Sequence, residues 1–228
     1  YSSIDEVMKR GMTAMDPTTF EQAADLTGAL ILDTTQAQEF AKGFIPQSIS
    51  IGIKGDFAPW VGSLVGDVKQ ELLLVTETGM EEETVTRLAR VGFDNVIGYL
   101  NGGFESWVKA GKEIDKIKRI TAEQFKTEFK PKESVVVDVR KESEYAAQHV
   151  DEAFNKPLSA INDWVGNINP KKHFFLHCQS GYRSMIAASV LQARGYRNFS
   201  EVEGGFKAIS QTEVPTSDFV CQSKMLPA

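Results

Sequence analysis

Short apolar runs of four or five residues recur along this chain, each separated from the next by a stretch whose apolar positions fall at helical spacing. ALILD at 29–33, ISIGI at 49–53 and LLLVT at 72–76 read as buried strands. Asp16 followed by Pro17 is a helix start, an N-cap with proline at the first helical position, and Phe20, Ala23 and Ala24 supply the apolar face. Residues 36–42 predict a second helix that stops before Gly43, and residues 82–91 a third. A Gly-rich, Trp-bearing crossover leads into LLLVT, and VIGY with GGFESWVKAG completes the unit. Residues 1–15 are polar, carry Met, lack a partner segment of their own and read as a linker.

From residue 119 the pattern starts again. Thr121 with Gln124 makes a capping box for AEQFKTEF, and SVVVDV at 134–139 takes the place of ALILD. ESEYAAQHV matches AQEFAKGFI, FFLHC matches LLLVT, and GYRNFSEVEGGFKAI matches GFDNVIGYLNGGFESW. Setting Gly79 on Gly181 places Gly102 and Gly103 on Gly204 and Gly205 with a compensating shift of one residue. The pattern is that of two copies of one α/β unit, at 16–114 and 115–214, followed by a tail at 215–228. Strands alternating with helices of about ten residues predict, in each copy, a mostly parallel sheet with helices on both faces. Ligands in such sheets sit at the carboxyl ends of the strands.

Charge narrows the partners. The 31 acidic residues outnumber the 25 basic ones, and no basic cluster offsets the net charge of −6, which argues against nucleic acid. The longest apolar runs are about five residues, far short of the roughly 20 that a membrane helix needs, and no secretory signal is present. There are two cysteines, Cys178 and Cys221. A disulfide between them stays open at the level of sequence, but it would tie a loop to a polar tail; a reduced thiol in the cytoplasm fits better. Cys221, in PTSDFVCQSKM, reads as a free surface thiol. His149 and His173 lack metal-ligand spacing, so neither a metal nor another cofactor is expected.

The stretch HCQSGYRS at 177–184 directly follows Phe174, Phe175 and Leu176 and directly precedes MIAASVLQARG, so it should turn from a strand into a helix. Cys178 then lies at a helix N-terminus, where unpaired amides and the helix dipole favour an anion, a thiolate included. Arg183 adds positive charge, and a free cysteine at a pKa of about 8.5 needs such help near pH 7. Cys178 is the candidate nucleophile.

With these residues in place, the second half resembles a rhodanese domain, the sulfurtransferase fold. The matching segments are VVVDVRKESEY, HVDEAFNKPLS, CQSGYRS, which fits the family's CxxGxR loop, and ARGYRNFSEVEGGF; together they span nearly all of 119–212. Gln148 stands before His149 where the family usually carries glycine. The resemblance implies a persulfide on Cys178, formed from thiosulfate or a low-molecular-weight persulfide and passed to a thiol, sulfite or cyanide. The partners are then small sulfur-containing anions and thiols. The amides of Gln179, Ser180, Gly181, Tyr182, Arg183 and Ser184 would form a nest around the outer sulfur, with Gly181 permitting the turn. The Arg183 fork would hold an oxyanion donor. His177 is expected to pack or hydrogen-bond at the strand end, with tuning of Cys178 as the alternative; Asp138 and Arg140 are expected to form an ion pair that supports the loop, and Trp164 and Tyr182 are candidate pocket walls.

The loop also resembles that of cysteine phosphatases and arsenate reductases, which carry the same His-Cys and Arg. Here Cys178 and Arg183 enclose four residues, against five in the phosphatases, whose wider cradle suits a tetrahedral phosphate. A phosphatase would need a general acid, for which Asp163 and Asp151 are the available carboxylates. A third reading is a non-catalytic binding module.

The first copy resembles an inactive rhodanese domain. TETGMEEE puts Thr76 at the Cys178 position and Glu81 at the Arg183 position, and the acids at 81–83 would repel an anionic donor while favouring the helix dipole. A structural or partner-binding role follows for this half. YSSIDEVMKRGM resembles the connector that precedes rhodanese units in fusions with a persulfide dioxygenase of metallo-β-lactamase fold, and the chain starts at Tyr1 without Met. Two contexts fit such a tandem, a stand-alone sulfurtransferase and the C-terminal part of such a fusion, and the resemblance of the lead-in favours the fusion. No HxHxDH-type metal motif occurs in these residues.

Overall fold

A computed structural model describes residues 3–221 and divides the chain into two units, Tyr1–Lys116 and Ile117–Ala228. The first unit contains helices α1 (Ile4–Gly11), α2 (Pro17–Thr27), α3 (Ala37–Lys42), α4 (Phe57–Val65), α5 (Glu81–Ala89) and α6 (Gly103–Lys109). Its strands are β1 (Ala14–Met15), β2 (Leu30–Asp33), β3 (Ile49–Ser50), β4 (Leu72–Val75) and β5 (Val96–Leu100). They pair in parallel in the order β1-β5-β4-β2-β3.

The second unit repeats this plan. Its strands β6 (Arg119–Ile120), β7 (Val135–Asp138), β8 (Phe154–Asn155), β9 (Phe174–His177) and β10 (Phe199–Val202) pair in parallel in the order β6-β10-β9-β7-β8. Helices α7 (Ala122–Glu128), α8 (Glu142–Ala147), α9 (Ile161–Trp164), α10 (Tyr182–Ala193) and α11 (Gly205–Ile209) follow the same alternation. The expected α/β class and the duplication are both present. The two caps read from sequence also form: Asp16 accepts the Thr19 amide, and Thr121 and Gln124 exchange hydrogen bonds.

The domain limits need correction. Residues 4–15 are not a linker. Ser3 and Glu6 form a capping box for α1, Val7 is buried, and a Cβ on Gly11 would lie 2.7 Å from the Val85 side chain. The strand β1 then completes the edge of the first sheet, with Ala14 opposite Tyr99 and Met15 opposite Leu100. Ile4, Val7, Met8 and Gly11 stand at helical spacing, so the sequence does carry the apolar stripe of α1, short as it is. Asp115 belongs to the first unit rather than the second, because its amide and carbonyl pair with those of Phe44 at 2.9 Å. Beyond 214 the chain still packs on the second unit: the Pro215 carbonyl accepts the Asp151 amide, Thr216 bridges Val150, and the amides of Ser217 and Val220 donate to His149 and Ala147. Residues 222–228 of the expected tail lie outside the described residues. The predicted strand at 49–53 is shortened to Ile49–Ser50, and the crossover after it contains α4, whose Pro59 and Gly62 hid its helical signal.

Two features fix the second loop. All four residues of β9 are buried, and α10 is buried from Ser184 to Gln192, so the turn between them is clamped at both ends. The glycine pair after β10 closes the third side. At Gly205, φ is +56°, and a Cβ there would lie 2.5 Å from the Cys178 carbonyl oxygen; that carbonyl accepts the Phe206 amide at 2.7 Å. Gly103 makes the matching close approach to the Thr76 carbonyl, which is why the GG pair occurs in both copies.

Candidate active site

β7 leads toward β8 on one side of the sheet, whereas β9 leads toward β10 on the other, so the crevice at the carboxyl ends of β7 and β9 is a topological switch point. Asp138 and His177 are register partners there, and Cys178 follows directly. Its sulfur is buried. The Gly181 amide donates to Sγ at 3.1 Å, and Ser184 Oγ lies 3.4 Å from it. Gly181 has φ +108°, a conformation that favours glycine and turns its amide inward.

The remaining loop residues divide. Gln179 turns its side-chain oxygen to Arg140 Nη1 at 3.1 Å, Ser180 is exposed, and Tyr182 is half-buried at the first turn of α10. Arg183 does not reach into the loop unaccompanied. Its two terminal nitrogens grip the Glu144 carboxylate at 2.6 and 2.8 Å, a bidentate pair between α10 and α8. This pairing holds the Glu144 carboxyl below the usual carboxylate range, and the Arg183 guanidinium above its ordinary value. Neither cysteine is in a disulfide; Cys178 is buried and Cys221 exposed.

Asp138 and Arg140 form the ion pair read from sequence. Arg140 Nε and Nη2 bond the carboxylate at 2.8–3.1 Å, the Arg140 amide caps it at 2.9 Å, and both side chains are buried. The guanidinium lies 4.2 Å from the Phe206 ring centroid and donates to the Gln148 carbonyl, so one cation ties α8 and α11 to the base of the loop. His177 is wholly buried. Its Nδ1 donates to the Cys178 carbonyl at 2.9 Å; burial holds its pKa down despite Asp138 at 3.9 Å, so the ring is neutral. Nε2 has no hydrogen bond, the one such buried side-chain N or O among the described residues. The ring supports the strand end and does not point at Sγ through any hydrogen bond.

Other sequence candidates lie apart from this chemistry. The Trp164 indole donates to the Pro157 carbonyl, His149 Nδ1 bonds the Tyr145 carbonyl, and His173 bonds Ser200. Asp151 and Asp163 are exposed. No cluster of His, Cys, Asp or Glu suited to a metal occurs among the described residues, and no helix there is long and apolar enough to cross a membrane. Sequence reading missed Glu144, Glu201 and Arg119. Glu201 alone left a signal, an acid within the short strand FSEV, all four of whose residues are buried.

The corresponding loop in the first unit is built differently. Thr76 Oγ1 donates to the Glu77 carbonyl, and Glu81 caps the Gly79 amide. Asp33 occupies the Asp138 position, but Thr35 replaces Arg140: its amide and hydroxyl bond the carboxylate at 2.9 and 2.6 Å. Without an arginine, burial pushes the Asp33 carboxyl up to about 6.

A parallel sheet of this order, with a buried cysteine at the switch point and an arginine ending its loop, defines a rhodanese-type domain. The chain belongs to the rhodanese-like family: the model of the rhodanese-like domain matches twice, at residues 16–110 and 121–212. The uncharacterized protein YqhL of Bacillus subtilis is 32% identical over 91 residues, which are 40% of this chain and 71% of that protein. Thiosulfate sulfurtransferase GlpE of Pseudomonas entomophila is 30% identical over 94 residues, 41% of this chain and 85% of that one. A rhodanese-like domain protein from Staphylococcus aureus, known from its crystal structure, is 31% identical with a TM-score of 0.38, covering 41% of this chain and 91% of that one. The chain is thus a tandem of rhodanese-like domains related to sulfurtransferases.

Proposed function

We propose that the second domain is a thiosulfate or persulfide sulfurtransferase that carries sulfane sulfur on Cys178. The observation that supports this most is the Cys178 sulfur held at the base of a four-residue loop, with the Gly181 amide directed at it. The Cys178 thiolate attacks the sulfane sulfur of thiosulfate. A Sγ–S bond forms, the donor S–S bond breaks, and its electron pair leaves with sulfite. An acceptor thiolate, sulfite or cyanide then attacks the outer sulfur, and the Sγ–S pair returns to Cys178. The cycle is ping-pong, with the persulfide as the covalent intermediate. The four enclosed residues also disfavour phosphatase chemistry, since the shorter loop suits the single outer sulfur of a persulfide better than a covalently held tetrahedral phosphate.

Glu144 shapes donor binding on this reading. It occupies the Arg183 fork and opposes a dianion by charge. Glu144→Gln is therefore expected to lower KM for thiosulfate by roughly 3- to 10-fold, with kcat changed much less. Steady-state kinetics in both substrates check this, and a raised KM would mean that Glu144 positions Arg183 for the donor.

The first domain is read as catalytically silent, because Thr76 and Glu81 replace the nucleophile and the cation. The compartment that suits a free-thiol nucleophile is the cytoplasm. Fusion to an upstream persulfide dioxygenase rests on the resemblance of residues 1–12 alone, since residues 4–15 build part of the first sheet's unit. The gene sequence preceding Tyr1 tests it: an HxHxDH-type motif supports the fusion, and a start codon within a few residues contradicts it.

A further inference from the structure

Behind the reactive sulfur lies a hydrogen-bonded chain that the sulfur-transfer steps above do not use. Ser184 Oγ is 3.4 Å from Cys178 Sγ and 2.7 Å from Glu201 Oε1, and Glu201 Oε2 accepts Arg119 Nε at 2.7 Å. Ser184 and Glu201 are fully buried, and Cys178 nearly so. Gly181 is packed against this pair: a Cβ on it would lie 3.0 Å from Arg119 Nη2 and 3.9 Å from Glu201 Oε1. Three elements, the loop with α10, β10 and β6, thus converge to place a carboxylate one hydroxyl away from the nucleophile.

The direction of the hydrogen bonds is set by chemistry. An ionised Glu201 only accepts, so the Ser184 hydroxyl donates to it and leaves its own lone pair to receive the Cys178 S–H. We propose that Glu201, acting through Ser184, is the internal acceptor of the Cys178 proton and stays protonated while the sulfur carries charge. In the transfer, the S–H bond breaks as the Cys178 proton passes to Ser184 Oγ, and the Ser184 proton passes to Glu201 Oε1. No electrons are exchanged and the net charge of the group is unchanged. Afterwards the new Ser184 hydroxyl donates to the thiolate, and the carboxyl behind it is neutral. The loop then holds a single negative charge, which persists on the outer sulfur of a persulfide.

The groups facing Glu201 are balanced for this role. Arg119 favours its ionised form; burial and Glu203, which also faces Arg119 at 3.7 Å, favour the protonated one, with burial the larger influence. Arg183 is the cation that faces the charge on Cys178. Glu201 touches no reacting atom, so it is a positioning residue. Its role rests on Cys178 being the nucleophile of the function proposed above, but its test does not require sulfur transfer.

The test is the pH dependence of Cys178 alkylation by iodoacetamide, read by mass spectrometry on the Cys178 peptide so that Cys221 does not contribute. Two acids that share a proton ionise in two macroscopic steps. Wild-type protein is expected to show a rate that rises in two steps with a plateau about one pH unit wide or more between them, and Glu201→Gln a single rise. Infrared difference spectra of the wild type supply a second measurement should the variant fail to fold: alkylation of Cys178 is expected to remove one protonated-carboxyl stretch. A single-step wild-type profile, or no carboxyl change on alkylation, would overturn the proposal and leave Glu201 as a structural partner of Arg119. Loading of sulfur from thiosulfate, measured on the same preparation, separates this outcome from failure of the sulfurtransferase reading.

Discussion

Cys178→Ser is expected to lower sulfur transfer from thiosulfate by roughly 10³-fold or more while leaving the fold intact. The change swaps one atom in a cage that stays in place: β9 and α10 clamp the turn, and Gly205 and Phe206 hold the Cys178 carbonyl. A serine hydroxyl there has no base strong enough to ionise it, since the neighbouring His177 ring directs Nδ1 to a carbonyl and is held neutral by burial. The first domain already shows such a hydroxyl: Thr76, at the same place, donates to the Glu77 carbonyl next to it. Thermal denaturation checks the fold, and turnover with cyanide or sulfite as acceptor checks the chemistry. Cys221→Ser, by contrast, is expected to leave turnover unchanged.

The second large effect falls on stability. Asp138→Ala is expected to destabilise the second domain by about 3–5 kcal/mol, the cost of leaving a buried charge without its partner. Arg140 would keep the Phe206 face, the Gln148 carbonyl and the Gln179 amide oxygen, but none of these carries a compensating charge. The loss should extend to activity, because the same guanidinium holds Gln179 at the start of the reactive loop. Denaturant unfolding followed by a probe specific to the second domain measures the first effect. Asp138→Asn tests whether charge or shape matters: it can keep the bond from the Arg140 amide at 2.9 Å while losing the charge. A destabilisation below about 1 kcal/mol for Asp138→Ala would show that Arg140 finds its stabilisation elsewhere.

What could be read from sequence was local. HCQSGYRS announces itself because cysteine, glycine and arginine lie within one short loop, and the Asp138–Arg140 pair because its members stand two residues apart at a strand end. The duplication was legible because both copies keep GG, where all four glycines have positive φ and a Cβ on the second of each pair would crowd the loop carbonyl. Contacts made across the fold were not legible. Glu144 looks like a solvent-facing acid in the first turn of a short helix, and only the packing of α8 beside α10 brings it onto Arg183. Glu201 and Arg119 come together with Ser184 through the β6-β10 pairing. Thus the candidate nucleophile Cys178 stood out in the sequence, whereas the buried contacts of Glu144, Glu201 and Arg119 around its loop did not.

The central claim is that Cys178 carries sulfur, and intact-protein and peptide mass spectrometry after exposure to thiosulfate tests it most directly. The expected result is a gain of one sulfur atom on the Cys178 peptide, removed by cyanide and absent in Cys178→Ser. A Cys178 that alkylates freely yet gains no sulfur from thiosulfate or from glutathione persulfide, or a sulfur found on Cys221 alone, would contradict it.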